Sequence, residues 1–155
     1  MRLRLLAAGT GLPAWMKAGY EDYARRMPRE CRTELVEIAL GHRGKGADTA
    51  RATRQEGERM LAALRPGERV VALEVGGKLH STEALARTLD GWMASGVDAA
   101  LLIGGPDGLS EACRSRADEQ WSLSRLTLPH GLVRVIVAEA LYRAAMVLRG
   151  HPYHK

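Results

Sequence analysis

Four apolar runs, each closed by glycine and followed by a helix-like stretch, constrain this chain more than any other feature. Leu3, Leu5 and Ala7 alternate with Arg2 and Arg4 and stop at Gly9-Thr10-Gly11, which reads as a first strand. Leu35 to Leu40 is a second and ends at Gly41. Val70 to Val75 is a third, apolar enough to be central and parallel, and Gly76-Gly77 is expected to break it. Ala99 to Ile103 is a fourth, followed at once by Gly104-Gly105-Pro106-Asp107-Gly108. Between the strands run helical patterns. Pro13 begins one that reaches about Met27, with Trp15, Ala18, Tyr23 and Met27 inward. Asp48 or Thr49 caps a second, to about Leu64, with Met60, Leu61 and Leu64 apolar. Ser81-Thr82-Glu83 starts a third, in which Leu85, Ala86, Leu89, Trp92 and Met93 face inward and which Gly96 ends. A short helix follows Ser110 and leads to Gln120–Leu123. Strand and helix in alternation predict an α/β fold, a mainly parallel sheet with helices on both faces. The length suits a single domain over residues 1–155. In such sheets ligands bind beyond the carboxyl ends of the strands.

The last helix asks for more cover than one sheet face gives. Pro129 opens it, where a missing N–H costs nothing. Val133, Val137, Leu141 and Leu148 form one stripe; Ile136, Ala140, Ala144 and Val147 form another beside it. A helix apolar over so much of its surface must be covered on several sides. Its small residues Ala138, Ala140, Ala144 and Ala145 also fit a seam between two copies of the chain. Gly150 stops it and Pro152 forbids its resumption. Before it lies Leu123-Ser124-Arg125-Leu126-Thr127-Leu128, too short and irregular for a helix. After it comes a basic, aromatic tail, His151-Pro152-Tyr153-His154-Lys155.

Charge narrows the class of partner. There are 23 basic and 18 acidic residues, a net of +5. That surplus favours a polyanion without naming one. Arg25, Arg26, Arg29 and Arg32 cluster at the end of the first long helix, where half of them suffice to answer the helix dipole. Arg43 and Lys45 sit in a glycine-rich loop, Gly41 to Gly46. Two cysteines, Cys31 and Cys113, make no disulfide framework and suit a reducing cytoplasm. No run approaches the length of a membrane span, and Arg-Leu-Arg-Leu-Leu-Ala-Ala turns polar too soon for a signal peptide.

Familiar chemical motifs are mostly missing. The Gly104–Gly108 loop fits neither the dinucleotide fingerprint nor the phosphate loop. No Gly-x-Ser-x-Gly elbow is present, and neither cysteine has a local nucleophile signature. His151 and His154 lie three apart, but no cysteine or carboxylate cluster completes a metal site. His130 reads as a capping or buried hydrogen-bonded group, with a general base as the alternative.

Several stretches taken together resemble one family. They are Leu102-Ile103-Gly104-Gly105-Pro106-Asp107-Gly108-Leu109-Ser110, Trp121-Ser122-Leu123-Ser124, Leu126-Thr127-Leu128-Pro129-His130, Leu132-Val133-Arg134 and the tail from His151 to Lys155. With Ala8-Gly9-Thr10, Arg43-Gly44-Lys45 and Gly77-Lys78 they resemble the RlmH family, SPOUT-class methyltransferases acting on 23S ribosomal RNA. The resemblance covers essentially the whole chain. Gly131 departs from it, standing where a proline or larger polar residue is expected; it should loosen the first turn of the last helix slightly.

The resemblance implies a C-terminal deep trefoil knot, which periodicity alone would never suggest. It implies S-adenosylmethionine as cofactor, held by Leu73, Gly104, Gly105, Leu123, Ser124, Arg125, Leu126, Thr127 and Leu128. It implies methyl transfer to N3 of a pseudouridine in the helix 69 loop of 23S rRNA, within the assembled 70S ribosome and without a metal. Tyr153, His154 and Arg134, with His130 nearby, are the implied candidates for orienting the base and removing its proton. It implies a cytoplasmic homodimer in which one subunit completes the other's site, with Arg25, Arg26, Arg29, Arg43 and Lys45 meeting ribosomal phosphates. Two other readings compete: a non-enzymatic ribosome-binding or assembly factor, and a methyltransferase for tRNA or another rRNA position.

Overall fold

A computed structural model describes residues 1–155. The elements are β1 (Arg2–Ala8), α1 (Ala14–Arg26), β2 (Arg32–Ile38), α2 (Thr49–Ala62), β3 (Arg69–Leu79), α3 (Thr82–Ser95), β4 (Ala99–Ile103), α4 (Glu111–Arg116), β5 (Glu119–Ser122) and α5 (His130–Leu148). The five strands form one sheet in the order β2-β1-β4-β3-β5. Every neighbouring pair is parallel.

Alternation along the central strands divides two cores. Leu3, Leu5 and Ala7 of β1, with Ala99, Leu101 and Ile103 of β4, face the larger one, where α1, α3 and α5 supply Tyr20, Leu89, Trp92, Val137 and Leu141. Leu6, Ala8, Ala100 and Leu102 face the other, against Met60 of α2 and Cys113 of α4. Full burial on both faces is what the unbroken apolar runs of β1 and β4 require. The α/β reading with helices on both sides therefore matches the fold. α5 lies between α1 and α3 over the sheet, which is the multiple cover its stripes demand. Its buried residues are Val137, Ala138, Leu141, Tyr142, Ala144, Ala145 and Met146, flanked at its start by Gly131 and Arg134. Of the second predicted stripe only Ala144 is fully buried; Ile136, Ala140 and Val147 stay half-exposed.

Caps fix the ends where they were expected. Asp48, Ser81 and Ser110 accept hydrogen bonds from the backbone N–H groups of Arg51, Ala84 and Cys113. Gly96 closes α3 in the left-handed region at φ 69°.

Five expectations need correction. Gly76-Gly77 does not end the third strand. β3 runs on to Leu79 through a register shift between Leu73 and Lys78. A Cβ on Gly77 would stand 2.6 Å from the Trp121 carbonyl carbon, so the glycine permits a close strand approach. The stretch from Gln120 to Leu123 is more than a connection: Glu119–Ser122 forms a fifth strand, β5, whose Trp121 stacks on Trp92 at 5.3 Å between ring centroids and an interplanar angle of 12°. Trp15 and Ala18 are exposed, and Tyr20 takes the inward place instead. Gly131 is packed, not loose: a Cβ there would meet Met16 Sδ at 2.7 Å and Leu12 Cδ2 at 3.0 Å. Arg4, read as the polar side of β1, is buried and paired to Glu68 at 2.7 and 2.9 Å.

Candidate functional site

A cleft of about 480 Å³ opens beyond the carboxyl end of β4, beside the bulge of β3. Its walls are Leu73–Val75 at the bulge of β3, the Gly104–Gly108 turn, the segment before α5, and the first turn of α5. The turn folds back on itself. A Cβ on Gly104 would lie 2.4 Å from the Gly108 carbonyl carbon and 2.6 Å from Leu109 N, so only glycine fits. Gly108, at φ 78°, completes the reversal. The Leu123–Leu128 segment holds its shape through local polar bonds. Ser122 Oγ donates to the Ser124 carbonyl at 2.9 Å, and Leu126 N donates to Ser124 Oγ at 3.0 Å.

The sheet topology brings together Leu73, Gly104, Gly105, Leu123, Ser124, Leu126, Thr127 and Leu128, all on the cleft wall. Arg125 stands apart from that wall. Its guanidinium bonds the carbonyls of Val75 and Gly77 and so clasps the segment to the bulge of β3. The wall also holds residues that sequence reasoning missed, chiefly Glu74. Glu74 Oε1 is shielded and makes no hydrogen bond; Arg114 Nη1 is its nearest cation, at 3.5 Å. Its position next to Leu73 was the only available signal.

Ion pairs brace the cleft where α5 begins. Arg134, 1% exposed, donates from Nη1 to Glu37 Oε2 at 2.8 Å and from Nη2 to the Gly9 carbonyl at 2.7 Å. It fastens α5 to the ends of β1 and β2, so its charge is engaged within the protein. Arg43 is likewise not a loose surface cation. It forms a close pair with buried Glu56, a 3.0 Å contact from Nη2 to the other oxygen, and a 2.9 Å bond from Nε to Asp107. Glu56 also accepts from Gly41 N at 2.9 Å, which holds the glycine-rich loop in place. His130 lies on the cleft wall near both arginines. Burial, then Arg134 and Arg43, push its pKa below the usual histidine value, against an opposing pull from Glu56.

The tail is ordered and lies elsewhere. Residues 152–154 make a 3-10 turn that folds back on α5. Tyr153 OH donates to Glu139 Oε1 at 3.0 Å, and Glu139 pairs with Arg143 at 2.7 Å. The Tyr153 ring packs edge-on to Tyr142 at 4.6 Å. Arg26 lies over the rings of Tyr23, Tyr142 and Tyr153 at 5.0, 4.6 and 5.8 Å. Burial, Tyr23 and Glu139 together push the Tyr153 pKa upward, so the phenol stays protonated and acts as a donor. His154 Nδ1 is engaged by the His151 carbonyl. Nine residues of helix separate His130 from Glu139, about 14 Å at 1.5 Å per residue. Tyr153, His154 and the cleft therefore do not meet within one chain.

The remaining predicted cations are spread over the surface. Arg25 and Arg26 share Asp22 at 3.2 and 2.9 Å. Arg29 and Lys45 are exposed. No group of three or more His, Cys, Asp or Glu side chains is placed to hold a metal ion. No helix is long and apolar enough to cross a membrane. Both cysteines are buried, and burial pushes the Cys31 thiol up to about 11, which makes it unreactive.

Comparison with known proteins agrees with this fold. Residues 1–154 match the family model described as a predicted SPOUT methyltransferase. Proteins named ribosomal RNA large subunit methyltransferase H are similar along their whole length. The one from Pseudomonas aeruginosa (strain UCBPP-PA14) is 56% identical over 155 residues, covering 100% of both chains. That from Hahella chejuensis is 54% identical, covering 100% of this chain and 99% of its own. Two solved structures share the fold. A probable methylase family protein from Haemophilus influenzae superposes with a TM-score of 0.50 at 14% identity, over 96% of this chain and 66% of that one. A putative methyltransferase from Legionella pneumophila, in complex with the bound cofactor SAM, gives 0.53 at 10% identity, over 93% and 66%. The segment before α5 and the Gly104 turn line the same cleft. The chain belongs to the SPOUT methyltransferases, and within them to the ribosomal RNA large subunit methyltransferase H family.

Proposed function

We propose that this protein methylates N3 of a pseudouridine in the helix 69 loop of 23S rRNA, on assembled ribosomes, with S-adenosylmethionine bound in the cleft. The cofactor supplies a methyl group already activated by a positively charged sulfur. The residues present suit it. Leu73, Leu123 and Leu128 offer an apolar slot, the Gly104-Gly105 turn admits close backbone approach, and Glu74 supplies one carboxylate for a cationic ligand. The volume falls in the range of small-molecule sites, about 300–1,000 Å³.

One observation carries the rest of the reading: the cleft and the tail stand at different places along α5. A protonated Tyr153 and the His154 ring are aromatic, polar groups suited to holding a base, yet they lie apart from their own cleft. A homodimer built on the half-exposed face of α5, with Ile136, Ala140 and Val147, would bring the tail of one subunit to the cleft of the other. Arg29 and Lys45, and Arg25 in its exposed pair with Asp22, then remain available to meet phosphates around the site.

The test uses radiolabelled S-adenosylmethionine with 70S ribosomes, 50S subunits and naked 23S rRNA, all lacking the modification. Label at N3 of one pseudouridine, on ribosomes only, is the expected result. Label on naked RNA, or on another nucleotide, defeats the substrate assignment. A second arm mixes two inactive variants, Gly104→Val and a chain ending at Gly150. Mixed dimers regain transfer if the site is shared between subunits, and stay inactive if each subunit works alone.

A further inference from the structure

We propose that His130 is the group that takes the N3 proton, an assignment that rests on the reading above. Two titratable side chains, Glu74 and His130, line the cleft, and Arg134 and Arg43 stand behind His130. Arg134 and Arg43 stay protonated at any working pH. Glu74 faces Arg114 at 3.5 Å, which counters its charge. His130 alone on this wall combines a place in the cleft with a ring that makes no hydrogen bond inside the protein. A Cβ built on Gly9 would stand 3.3 Å from Arg134 Nη2 and 3.5 Å from His130 Nε2. Imidazole and guanidinium thus converge on one glycine, which leaves room for both.

The charges around the ring come from five parts of the chain. Arg134 is on α5 itself, with Glu37 of β2 as its partner at 2.8 Å. Arg43 comes from the loop after β2, held by Glu56 of α2 and by Asp107 of the Gly104–Gly108 turn. Each carboxylate is already paired with an arginine, so the pull of Glu56 toward a protonated His130 is outweighed by burial and the two guanidiniums. The ring also sits in the first turn of α5, where the helix dipole disfavours positive charge. Its lowered pKa means that the neutral ring, with an open lone pair, is the form present at neutral pH.

The step balances. The N3–H proton passes to the free ring nitrogen of His130. The electron pair left on N3 makes the new bond to the methyl carbon. The carbon–sulfur bond breaks with its pair going to sulfur, which departs as a neutral thioether. The imidazolium formed between two guanidiniums then loses its proton readily to water. The tail residues orient the base and the buried arginines keep His130 neutral.

Three measurements on the intact protein test this. In the free protein, the His130 ring carbon, assigned by its loss in His130→Asn, should titrate below pH 6.5. In single-turnover transfer to ribosomes, the wild-type rate should fall as pH drops through that same value. His130→Asn and His130→Gln should lose about 10²- to 10⁴-fold in rate, and the acid limb should vanish. Cofactor affinity measured by calorimetry should persist, and added imidazole should restore part of the rate. A His130→Asn enzyme that keeps the wild-type acid limb overturns the proposal. So does a limb that disappears in His154→Asn or Glu74→Gln instead. A wild-type protein that transfers no methyl group to any ribosome defeats the functional reading itself, and this proposal falls with it.

Discussion

The two ends of α5 solve opposite problems. At its start the chain makes a hollow. Glycines replace side chains, Gly104 leaves no space for a Cβ, and His130 keeps its ring unbonded. At its end the chain makes a filled cluster, where Arg26, Tyr23, Tyr142, Tyr153, Glu139 and Arg143 contact one another in a small space. A hollow must be stiff before its ligand arrives, because backbone that moves on binding costs affinity. A cluster on the surface can be remade against another surface. On the proposed reading, the ligand belongs at the first end and the meeting of surfaces at the second.

The sharpest way to break that contrast is to fill the hollow. Gly104→Ala places a methyl 2.4 Å from one backbone carbon and 2.6 Å from a backbone nitrogen, neither of which can yield as a flexible side chain does. We expect S-adenosylmethionine binding to fall below detection in calorimetry, with a lowered Tm. Gly91→Ala, where a Cβ meets nothing within 4 Å, is the matched control and should keep binding. Equal binding by the two variants would mean that the turn does not shape the site.

Next comes the brace beneath the hollow. Arg134→Met leaves Glu37 and the Gly9 carbonyl without their donor. Breaking a buried charge pair from one side costs about 3–5 kcal/mol. Glu37 is 42% exposed on its side chain, so water recovers part of its loss and the lower end of that range applies. Denaturant unfolding reads the change directly, and a loss under about 1 kcal/mol would show that Arg134 is dispensable to the fold.

Much of this was legible in the sequence, and the omissions have physical causes. β4, α3 and their caps follow from an apolar run, a serine cap and a terminal glycine, all local signals. The cleft residues were found because the glycine turn and the leucine-rich segment lie at strand ends, which topology draws together. Gly76-Gly77 misled because glycine marks both a strand's end and a bulge within one; only the partner strand decides, and β5 was itself too short to see. Trp15 misled because α1 is amphipathic with a weakly apolar inner side, where Gly19 and Tyr20 take the place of larger aliphatics. Arg43 read as a free cation because its partners, Glu56 and Asp107, are 13 and 64 residues away. Charge composition counts such arginines as surface when the fold has already neutralised them.

The smallest effect concerns the cations that the fold leaves unspent. Arg29 is exposed, and Arg25 is held only by a solvent-exposed pair with Asp22, with both side chains more than half exposed. Such pairs contribute little, typically under about 1 kcal/mol. Arg25→Gln with Arg29→Gln should therefore leave Tm and S-adenosylmethionine affinity unchanged. If those charges meet ribosomal phosphates, each one lost removes about one unit from the slope of log affinity against log salt. The double variant should then bind ribosomes with a slope shallower by about two, and weaken most at low salt. Arg43→Gln supplies the contrast within the same measurement. It should disturb the Glu56 and Asp107 contacts, and so the fold around the cleft, with no comparable change in salt slope. A salt slope that follows Arg43 and ignores Arg25 and Arg29 would move the ribosome-facing surface from the end of α1 to the rim of the cleft.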